Sequence, residues 1–390
     1  MAFKAAQTGD QTLLETGESE SVASALAVVV RQAIASAGGW WPFDAFMQAA
    51  LYQPGLGYYA NRSQKFGWMP ASGSDFVTAP ELSPLFARAL AAPVAQALAA
   101  SGSGRVLEFG AGSGALAAGL LDALGDRVTA YAIVDLSGTL RERQQARLAR
   151  FGDRVQWLDA LPEAFDGVLI GNEVLDAMPV QLLHFDGQQW FERGVGLNAT
   201  AGGAGFAWSD RPTALRPPVD AGHLAQFVPG TTVEIHRQAE AFITTVAGML
   251  RRGVAFFIDY GFPEAEFYLP QRHGGTLMCH QAHRADADPL VHVGLKDITA
   301  HINFTGIALA AQNAGATVVG YTSQARFLLN CGLLGLLEVA SLAERGMAQR
   351  LIHEHEMGEL FKVIAFSCGL ADGGLAAPLG FAHADRTHRL

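Results

Sequence analysis

The 390-residue chain has few cysteines and few charged residues. Its three cysteines, Cys279, Cys331 and Cys368, lie outside any paired motif, which is typical of a reducing compartment and not of a disulfide framework. Only 16% of the residues are charged, and 27 Lys and Arg against 37 Asp and Glu leave a net charge of −10. This balance argues against a general nucleic-acid or anionic-membrane binder and leaves room only for a local basic patch.

Export and membrane-spanning sequences are also absent. The most apolar early run, residues 22–30, follows three glutamates, whereas a secretory peptide begins with basic residues. A membrane span needs roughly 20 apolar residues, more than any run here supplies. A mitochondrial presequence is rich in arginine, but Lys4 is the only basic residue in 1–30. We therefore expect a cytoplasmic protein without a membrane span.

No metal-ligand pattern is present. His353 and His355 alternate with Glu354 and Glu356, but residues two apart do not share a helical face. No partner set follows at zinc-site spacing, so a solvated helix face is the favoured interpretation. The sequence predicts no metal. The dispersed histidines of one loop region are candidates to shape a substrate groove, namely His273, His280, His283, His292 and His301.

Hydrophobic residues and glycine are abundant. Half of the chain is hydrophobic, which supplies a large core and excludes wholesale disorder. Glycine accounts for 44 of 390 residues, about 11% against a usual value of roughly 7%. Because there is no collagen period and no Gly/Ser tract, we expect these glycines to shape loops. The length suits one elaborated domain or two.

Strands and helices alternate from Arg105 onward. Continuous apolar strands separated by helices indicate a parallel sheet covered on both faces. The sequence thus predicts an α/β fold with a Rossmann-like doubly wound sheet, whose ligands bind at the carboxyl ends of the strands. The predicted strands are Arg105–Phe109, Thr129–Val134, Val155–Leu158, Gly167–Ile170 and Val254–Ile258.

The chain is predicted to divide into four parts. They are a disordered leader (1–20), an N-terminal helical cap and lid (21–103), the core (104–367) and a C-terminal tail (368–390). Insertions into the core are expected at about 184–235, 263–297 and 322–350. The first begins with a hairpin turning at Asp186-Gly187, and the third is predicted to be helical.

A glycine loop, residues 110–114, joins the first core strand to a helix. Glycine permits the tight turn and lets a ligand approach the backbone and the positive end of the helix. With Ala115 the segment also fits the dinucleotide pattern G-x-G-x-x-G/A. The loop by itself therefore leaves both a nicotinamide enzyme and an S-adenosylmethionine (SAM) enzyme open.

Acidic residues end three consecutive strands. Glu108 would repel a pyrophosphate but suits the amino group of SAM, and Asp135 is placed to accept hydrogen bonds from two ribose hydroxyls. Asp159 is placed near an adenine amino group. Each alone is equally compatible with a solvated acid, but the three together favour SAM over NAD. The predicted cofactor-binding residues are Glu108, Gly110, Ala111, Gly112, Gly114, Asp135, Leu136, Asp159, Ala160 and Asn172.

The fourth strand is followed by the segment Gly171-Asn-Glu-Val-Leu-Asp-Ala-Met-Pro179. Glu173 and Asp176 are three residues apart, so a helical turn would put both carboxylates on one side. The alternative is a capping turn whose acids complement a helix dipole.

With this segment the chain resembles the MidA-type methyltransferases, a family that includes the mitochondrial assembly-factor methyltransferase of respiratory complex I. The resemblance covers roughly Trp41 to Phe366 and implies a class I SAM-dependent methyltransferase fold. It rests on Tyr52-Gln-Pro-Gly-Leu-Gly-Tyr-Tyr59, Asp75-Phe-Val-Thr-Ala-Pro-Glu81, Glu108-Phe-Gly-Ala-Gly-Ser-Gly114, Gly171–Pro179, Ile258-Asp-Tyr-Gly261, Gly275-Thr-Leu277 and Asp297-Ile-Thr-Ala-His301.

The resemblance also implies a substrate. In the mitochondrial relative it implies symmetric dimethylation of an arginine on a complex I subunit, hence a protein partner of the respiratory NADH dehydrogenase type. A homodimer is left open. Two alternatives stand beside this reading: a SAM-binding assembly factor without catalysis, and an NAD(P)-dependent oxidoreductase, which Glu108 and the lack of a second nucleotide-binding half disfavour.

Arginine is a poor nucleophile because its lone pairs are delocalised. Carboxylates paired with two of its nitrogens would localise positive charge there and leave the third nitrogen richer in electrons. We predict Glu173 as the first such carboxylate and Asp176 as the second, with Asn172 shaping the backbone or holding the cofactor.

A lid is predicted before the core. The segment carrying Asp75, Thr78, Pro80 and Glu81 would fold over the cofactor and exclude water, a packed connector being the alternative. Tyr59 is predicted to line the same opening. Tyr260, at the end of the fifth strand, is a candidate substrate contact.

Overall fold

The structure is a computed structural model that describes residues 5–61, 78–198, 205–281, 284–371, 375 and 377–390, with the backbone alone for residues 5–20. The α-helices are α1 Ala5–Ser36, α2 Phe43–Tyr52, α3 Ala79–Leu82, α4 Pro84–Ser101, α5 Ala115–Leu124, α6 Gly138–Leu148, α7 Ala221–Leu224, α8 Arg237–Met249, α9 Glu264–Phe267, α10 Phe304–Asn313, α11 Gln324–Asn330, α12 Leu333–Val339 and α13 Leu342–Ile352.

The strands are β1 Trp41–Pro42, β2 Arg105–Phe109, β3 Ala130–Val134, β4 Val155–Leu158, β5 Phe165–Asn172, β6 Gln181–Phe185, β7 Trp190–Leu197, β8 Phe206–Pro212, β9 Thr232–Ile235, β10 Leu250–Phe262, β11 Met278–Gln281, β12 Arg284–Asp286, β13 Asp297–Thr299, β14 Ile302–Asn303, β15 Thr317–Ser323 and β16 Phe361–Cys368. The chain forms two compact units. Unit 1 is Met1–Phe76, Pro179–Ile235 and Pro270–Ala300, and unit 2 is Val77–Met178, His236–Leu269 and His301–Leu390.

Unit 2 is built on the predicted doubly wound sheet. Its strand order is β15-β16-β10-β5-β2-β3-β4, with the short β14 beside β10. From β10 to β4 all neighbours are parallel, whereas β16 runs antiparallel to both β10 and β15. The carboxyl ends of five parallel strands therefore share one edge, where open α/β sheets bind ligands.

Apolar side chains cover both faces of this sheet, because alternate strand residues point to opposite sides. On one face Val106, Val168 and Val254 pack with helices α4 and α5, and on the other Leu107 and Leu169 pack with α8 and α10. Strands that are buried on both faces appear as continuous apolar runs, which is why the sequence pattern located them well.

Unit 1 has its own small core. Its five-stranded sheet has the order β1-β7-β6-β9, with β8 added to β7. The predicted hairpin is confirmed: β6 and β7 are antiparallel, and the Asp186 carboxylate accepts the backbone N–H groups of Gln188 and Gln189 in the turn. A three-stranded sheet, β12-β11-β13, completes the unit.

The compact units do not follow the predicted domain boundaries. Helix α4, which we assigned to the cap, packs in unit 2, and the predicted insertion at 184–235 belongs to unit 1. The stretch 322–350 is helical as predicted, in α11 to α13, after Thr322 and Ser323 end β15. Phe327 and Leu351 of these helices pack in the unit 2 core, so the stretch is part of the core and not an insertion. Tertiary packing between segments distant in sequence decides these boundaries, and local periodicity does not report it.

The structure describes most of both ends of the chain. Helix α1 begins at Ala5, since its alanines, leucines and glutamates favour a helix and no proline interrupts it, and the expected disorder of residues 1–20 stays a prediction. The C-terminal tail docks within unit 2, where the backbone N–H of Arg386 donates to the Tyr321 carbonyl and Phe381 packs against Phe327. Within the described residues, no helix is both long enough and apolar enough to cross a membrane.

Candidate functional site

The glycine loop has the geometry that its composition predicts. Gly110, Gly112 and Gly114 have φ angles of 59°, 53° and 80°, a left-handed region that strains other residues. Gly114 caps the N-terminus of α5, and a Cβ on Gly110 would lie 3.2 Å from the Val174 side chain. The loop therefore brings the backbone and the positive end of a helix to the ligand-binding edge of the sheet.

Glu108 is placed differently from what we expected. Its side chain is only 2% exposed, and its Oε2 accepts a 2.7 Å hydrogen bond from the Tyr131 hydroxyl. Burial raises the pKa of Glu108 to about 8, so the carboxyl group is mostly protonated at neutral pH. We predicted a carboxylate ready for an ammonium group; a nearby cation would restore the charge by lowering this pKa. The role of Glu108 in binding stays a prediction.

Asp135 lies at the end of β3 with both carboxylate oxygens engaged. Oδ1 accepts from the Ser137 backbone N–H at 2.9 Å, and Oδ2 accepts from Gln144 Nε2 at 2.7 Å. Burial raises the pKa of Asp135, which these two donors and the charge of Arg141 oppose. The carboxylate is thus oriented on the edge where we predicted ribose recognition.

Gln144 is the residue that our reading of the sequence missed. It is fully buried on α6, where Leu140 and Leu148 lie one turn before and one turn after it. The sequence did contain a signal for it. Gln144 lies between Leu140 and Leu148 at a spacing of four residues, and positions in such an apolar row face the core.

Other predicted cofactor residues are more exposed. Leu136 follows Asp135 with 78% of its surface exposed. Asp159 forms a 2.7 Å ion pair with Arg141 on α6, and Ala160 beside it is exposed. Ala111 is buried within the glycine loop. The adenine role of Asp159 stays a prediction.

Asn172 and Glu173 leave the fourth core strand in a strained turn. Glu173 has a φ of 53°, rare for a residue with a side chain, and its N–H donates to the Ile258 carbonyl at 2.9 Å. Its Oε1 accepts from Asn172 Nδ2 at 3.0 Å and from the Ala79 backbone N–H at 3.4 Å. Such strain persists where the surrounding structure holds it, most often at functional sites.

Asp259 lies within β10, one residue beyond the last pair that β10 forms with β5, and it holds this turn in place. Its Oδ2 accepts the backbone N–H groups of residues 174, 175 and 176 at 3.2, 2.9 and 3.2 Å, and its Oδ1 accepts that of Tyr260 at 2.9 Å. The Tyr260 hydroxyl in turn donates to Asp176 Oδ2 at 2.5 Å. Glu173, Asp176 and Asp259 thus form a carboxyl cluster.

The carboxyl cluster is electrostatically unfavourable as it stands. Burial raises the pKa of Asp176 to about 6, although the Tyr260 hydroxyl opposes this. Burial and the charges of Asp176 and Glu173 also raise the pKa of Asp259. In the described part of the chain, Asp176 and Asp259 have no ion pair, and Asp176 Oδ1 is buried without a hydrogen-bond partner. A cationic hydrogen-bond donor would complement the cluster.

The described part of the predicted lid contacts the same region. Thr78 precedes α3, Pro80 lies in its first turn, and the Glu81 carboxylate accepts hydrogen bonds from Ser113 of the glycine loop and from Arg147. Since Ala79 also donates to Glu173, the short helix α3 connects the glycine loop with the carboxyl cluster. Arg147 is a further residue that sequence reasoning missed.

The structure does not test two of the predicted lid residues. Tyr59 belongs to unit 1, where its hydroxyl donates to Asp297 Oδ1 at 2.8 Å. Asp75 lies outside the described residues, so its predicted role is not tested. Tyr260, in contrast, is placed in the site through Asp176.

The residues at this edge fit SAM. The left-handed glycines leave the loop backbone open to a ligand, and Asp135 is oriented for hydroxyl groups. The exposed Leu136 suits an aromatic ring, and the buried Asn172 Oδ1, without a hydrogen-bond partner in the described structure, suits an amino group.

Comparison with known proteins agrees with this fit. A family model for S-adenosyl-L-methionine-dependent methyltransferases matches residues 86–322. A Caenorhabditis elegans protein named protein arginine methyltransferase NDUFAF7 homolog, mitochondrial, is 26% identical over 353 residues, with 80% of this chain and 78% of that protein covered. The Drosophila melanogaster homolog of the same name is 28% identical, with 77% and 73% covered.

Two crystal structures of proteins from Burkholderia thailandensis are similar throughout. One, bound to S-adenosyl-homocysteine, is 52% identical with a TM-score of 0.89, and the alignment covers 96% of this chain and 98% of the other. The other, a native structure, is 50% identical with a TM-score of 0.84 and the same coverage. The predicted class I fold and cofactor are confirmed, and the chain belongs to the family of SAM-dependent methyltransferases.

Proposed function

We propose that this methyltransferase acts on the guanidinium group of an arginine in a partner protein. The carboxyl cluster carries the proposal, because it gathers three acidic side chains beside the cofactor-binding loop and leaves Asp176 Oδ1 buried without a hydrogen-bond partner in the described structure. A guanidinium is the side chain best suited to such a cluster, since it stays charged and donates from a planar fork. The arginine methyltransferase names of the curated relatives support the same substrate.

The mechanism follows from the positions of the carboxylates. SAM supplies an electrophilic methyl group on a positively charged sulfur. Glu173 and Asp176 would pair with two guanidinium nitrogens and draw positive charge toward them, which would leave the third nitrogen to bond the methyl carbon. As that bond forms, the bond between carbon and sulfur would break to leave S-adenosyl-homocysteine, and the methylated nitrogen would lose one proton to water. Asp259 keeps the turn in place through three backbone N–H groups, and Tyr260 orients Asp176. Most of the rate enhancement then comes from alignment and charge placement.

Labelling identifies the substrate. Purified protein is incubated with methyl-labelled SAM and a lysate of the source organism, and labelled proteins are analysed by mass spectrometry. We expect methyl groups on one arginine of a single protein, and labelling roughly 10²- to 10³-fold slower with the Glu173→Gln variant. Label on lysine, nucleic acid or a small molecule would overturn the arginine assignment. An absence of label with normal SAM binding would support a non-catalytic assembly factor.

The partner and the location are finer proposals. We propose a respiratory NADH dehydrogenase subunit as the partner, supported by the family resemblance, and a cytoplasmic location, supported by free cysteines at 279, 331 and 368. If the labelled protein is unrelated to that complex, the partner proposal fails. Cell fractionation followed by immunodetection tests the location.

Activity is expected to fall in acid because Asp176 must be charged to hold a guanidinium. Its pKa is raised to about 6, so the carboxylate form is lost as pH falls through that value. We expect kcat/KM for an arginine peptide to drop about tenfold per pH unit below this point. Tyr260→Phe removes a donor that favours the charged form and should move the acid limb to higher pH.

Tyr321→Phe is the matched control for this profile. Tyr321 is also buried, but its hydroxyl has no hydrogen-bond partner in the described structure. Its removal should leave the pH profile unchanged. If Tyr260→Phe and Tyr321→Phe gave the same acid limb as the unmodified protein, Asp176 would not be the titrating group.

A further inference from the structure

Gln144 connects the ends of three neighbouring strands with one side chain. Its Nε2 donates to the Gly112 carbonyl at 2.9 Å and to Asp135 Oδ2 at 2.7 Å, and its Oε1 accepts from Trp157 Nε1 at 2.9 Å. Gly112 lies in the loop after β2, Asp135 follows β3, and Trp157 lies in β4. The amide is fully buried, so these bonds are made without competition from water.

The hydrogen bond to Asp135 has an electrostatic consequence. Asp135 is partly buried and lies close enough to Glu108 to raise its pKa, so the charged form of Asp135 needs support. That support comes from the Ser137 backbone N–H, the Gln144 amide and the charge of Arg141. Gln144 is the one side chain among these that also contacts the glycine loop.

The hydrogen bond to Gly112 has a geometric consequence. Gly112 is in the left-handed region, and its carbonyl is directed toward α6 by the Gln144 amide. Because a trans peptide unit is planar, its N–H group points away from the side on which its carbonyl is held. Gln144 therefore couples the conformation of the loop to the orientation of Asp135.

We propose that Gln144 is a positioning residue for the cofactor: it holds the Asp135 carboxylate charged and oriented, and the glycine loop open, before SAM binds. This rests on Asp135 as a ribose-binding residue and not on the identity of the methyl acceptor. An amide suits this task because it donates to a carboxylate without titrating. The side chain itself does not need to touch SAM.

The test compares Gln144→Leu with Gln145→Leu, the adjacent and exposed glutamine of the same helix. SAM affinity is measured by calorimetry without a methyl acceptor, and the melting temperature of the cofactor-free protein is recorded for each variant. We expect Gln144→Leu to bind SAM roughly tenfold more weakly, the cost of losing a hydrogen bond to a charged group, and Gln145→Leu to bind normally. Affinity within twofold of the unmodified protein would overturn the proposal.

A pH series separates positioning from general structural support. Without the Gln144 donor, the pKa of Asp135 rises further. As pH is lowered, Gln144→Leu should therefore lose SAM affinity at a higher pH than the unmodified protein does. The variant Gln144→Glu keeps the shape and the Trp157 acceptor but opposes Asp135, so its affinity should be lowest at neutral pH and recover in mild acid. Identical pH midpoints in all three proteins would contradict the proposal.

A double-mutant cycle completes the test. If Gln144 acts through Asp135, Gln144→Leu should change SAM affinity much less in an Asp135→Ala background than alone. Full additivity would mean that the two residues act independently. Because every readout is SAM binding, a failure of arginine methylation would leave this result intact, and the reverse also holds.

Discussion

Replacement of Glu173 by glutamine is expected to slow methyl transfer to arginine by roughly 10²- to 10³-fold, the range seen when one preorganised electrostatic contact to a transition state is removed. Glutamine keeps the size of the side chain and an oxygen for the Ala79 N–H and the Asn172 amide. It loses the negative charge that would polarise the guanidinium. SAM affinity should stay within about twofold, because the change lies in the acceptor site.

Single-turnover methylation of an arginine peptide and calorimetric SAM binding together check this expectation. Glu338→Gln is the control, since Glu338 is an exposed residue of α12. Wild-type turnover by Glu173→Gln would remove Glu173 from the mechanism. A parallel loss of SAM binding would instead place Glu173 in the cofactor site.

Asp259→Ala is expected to produce the second large effect, on stability and activity together. Asp259 is 1% exposed and accepts four backbone N–H groups, which alanine would leave buried without partners. The free energy of unfolding should fall by about 3 kcal/mol, after allowance for the repulsion that is relieved within the carboxyl cluster. Methyl transfer should be nearly lost, because the turn that carries Glu173 and Asp176 would relax.

Urea unfolding and methylation assays measure the two effects. Asp186→Ala is a matched control, because Asp186 also accepts backbone N–H groups in a turn but is exposed in unit 1. It should change stability little and leave methyl transfer intact. Unchanged stability and turnover in Asp259→Ala would show that the turn carrying Glu173 and Asp176 keeps its conformation without Asp259.

Much of the fold could be predicted because local rules govern it. The strand Val155–Leu158 has the predicted bounds, and β2 begins and ends as expected. In each case a mainly apolar strand is followed by glycine or aspartate, so burial and turn formation agree. The glycine loop was equally readable, because three left-handed residues in one turn demand glycine.

The boundaries of the two compact units could not be predicted from the sequence as well as the strands. The third core insertion proved to be a strand end followed by three helices that belong to the unit 2 core. This error arises because helix periodicity reports that one face is buried and not against which segment it packs.

The sequence by itself determined the doubly wound sheet, the cofactor class and the residues that end β2, β3 and β4, because these depend on patterns within a few residues. Tertiary structure alone decided how the acids are used. It buried Glu108 against Tyr131, turned Asp259 onto the backbone beside Asp176, and placed Gln144 between Asp135 and the glycine loop. The physical reason is that desolvation and hydrogen bonding, which set the charge of a carboxyl group, come from residues that are distant in sequence.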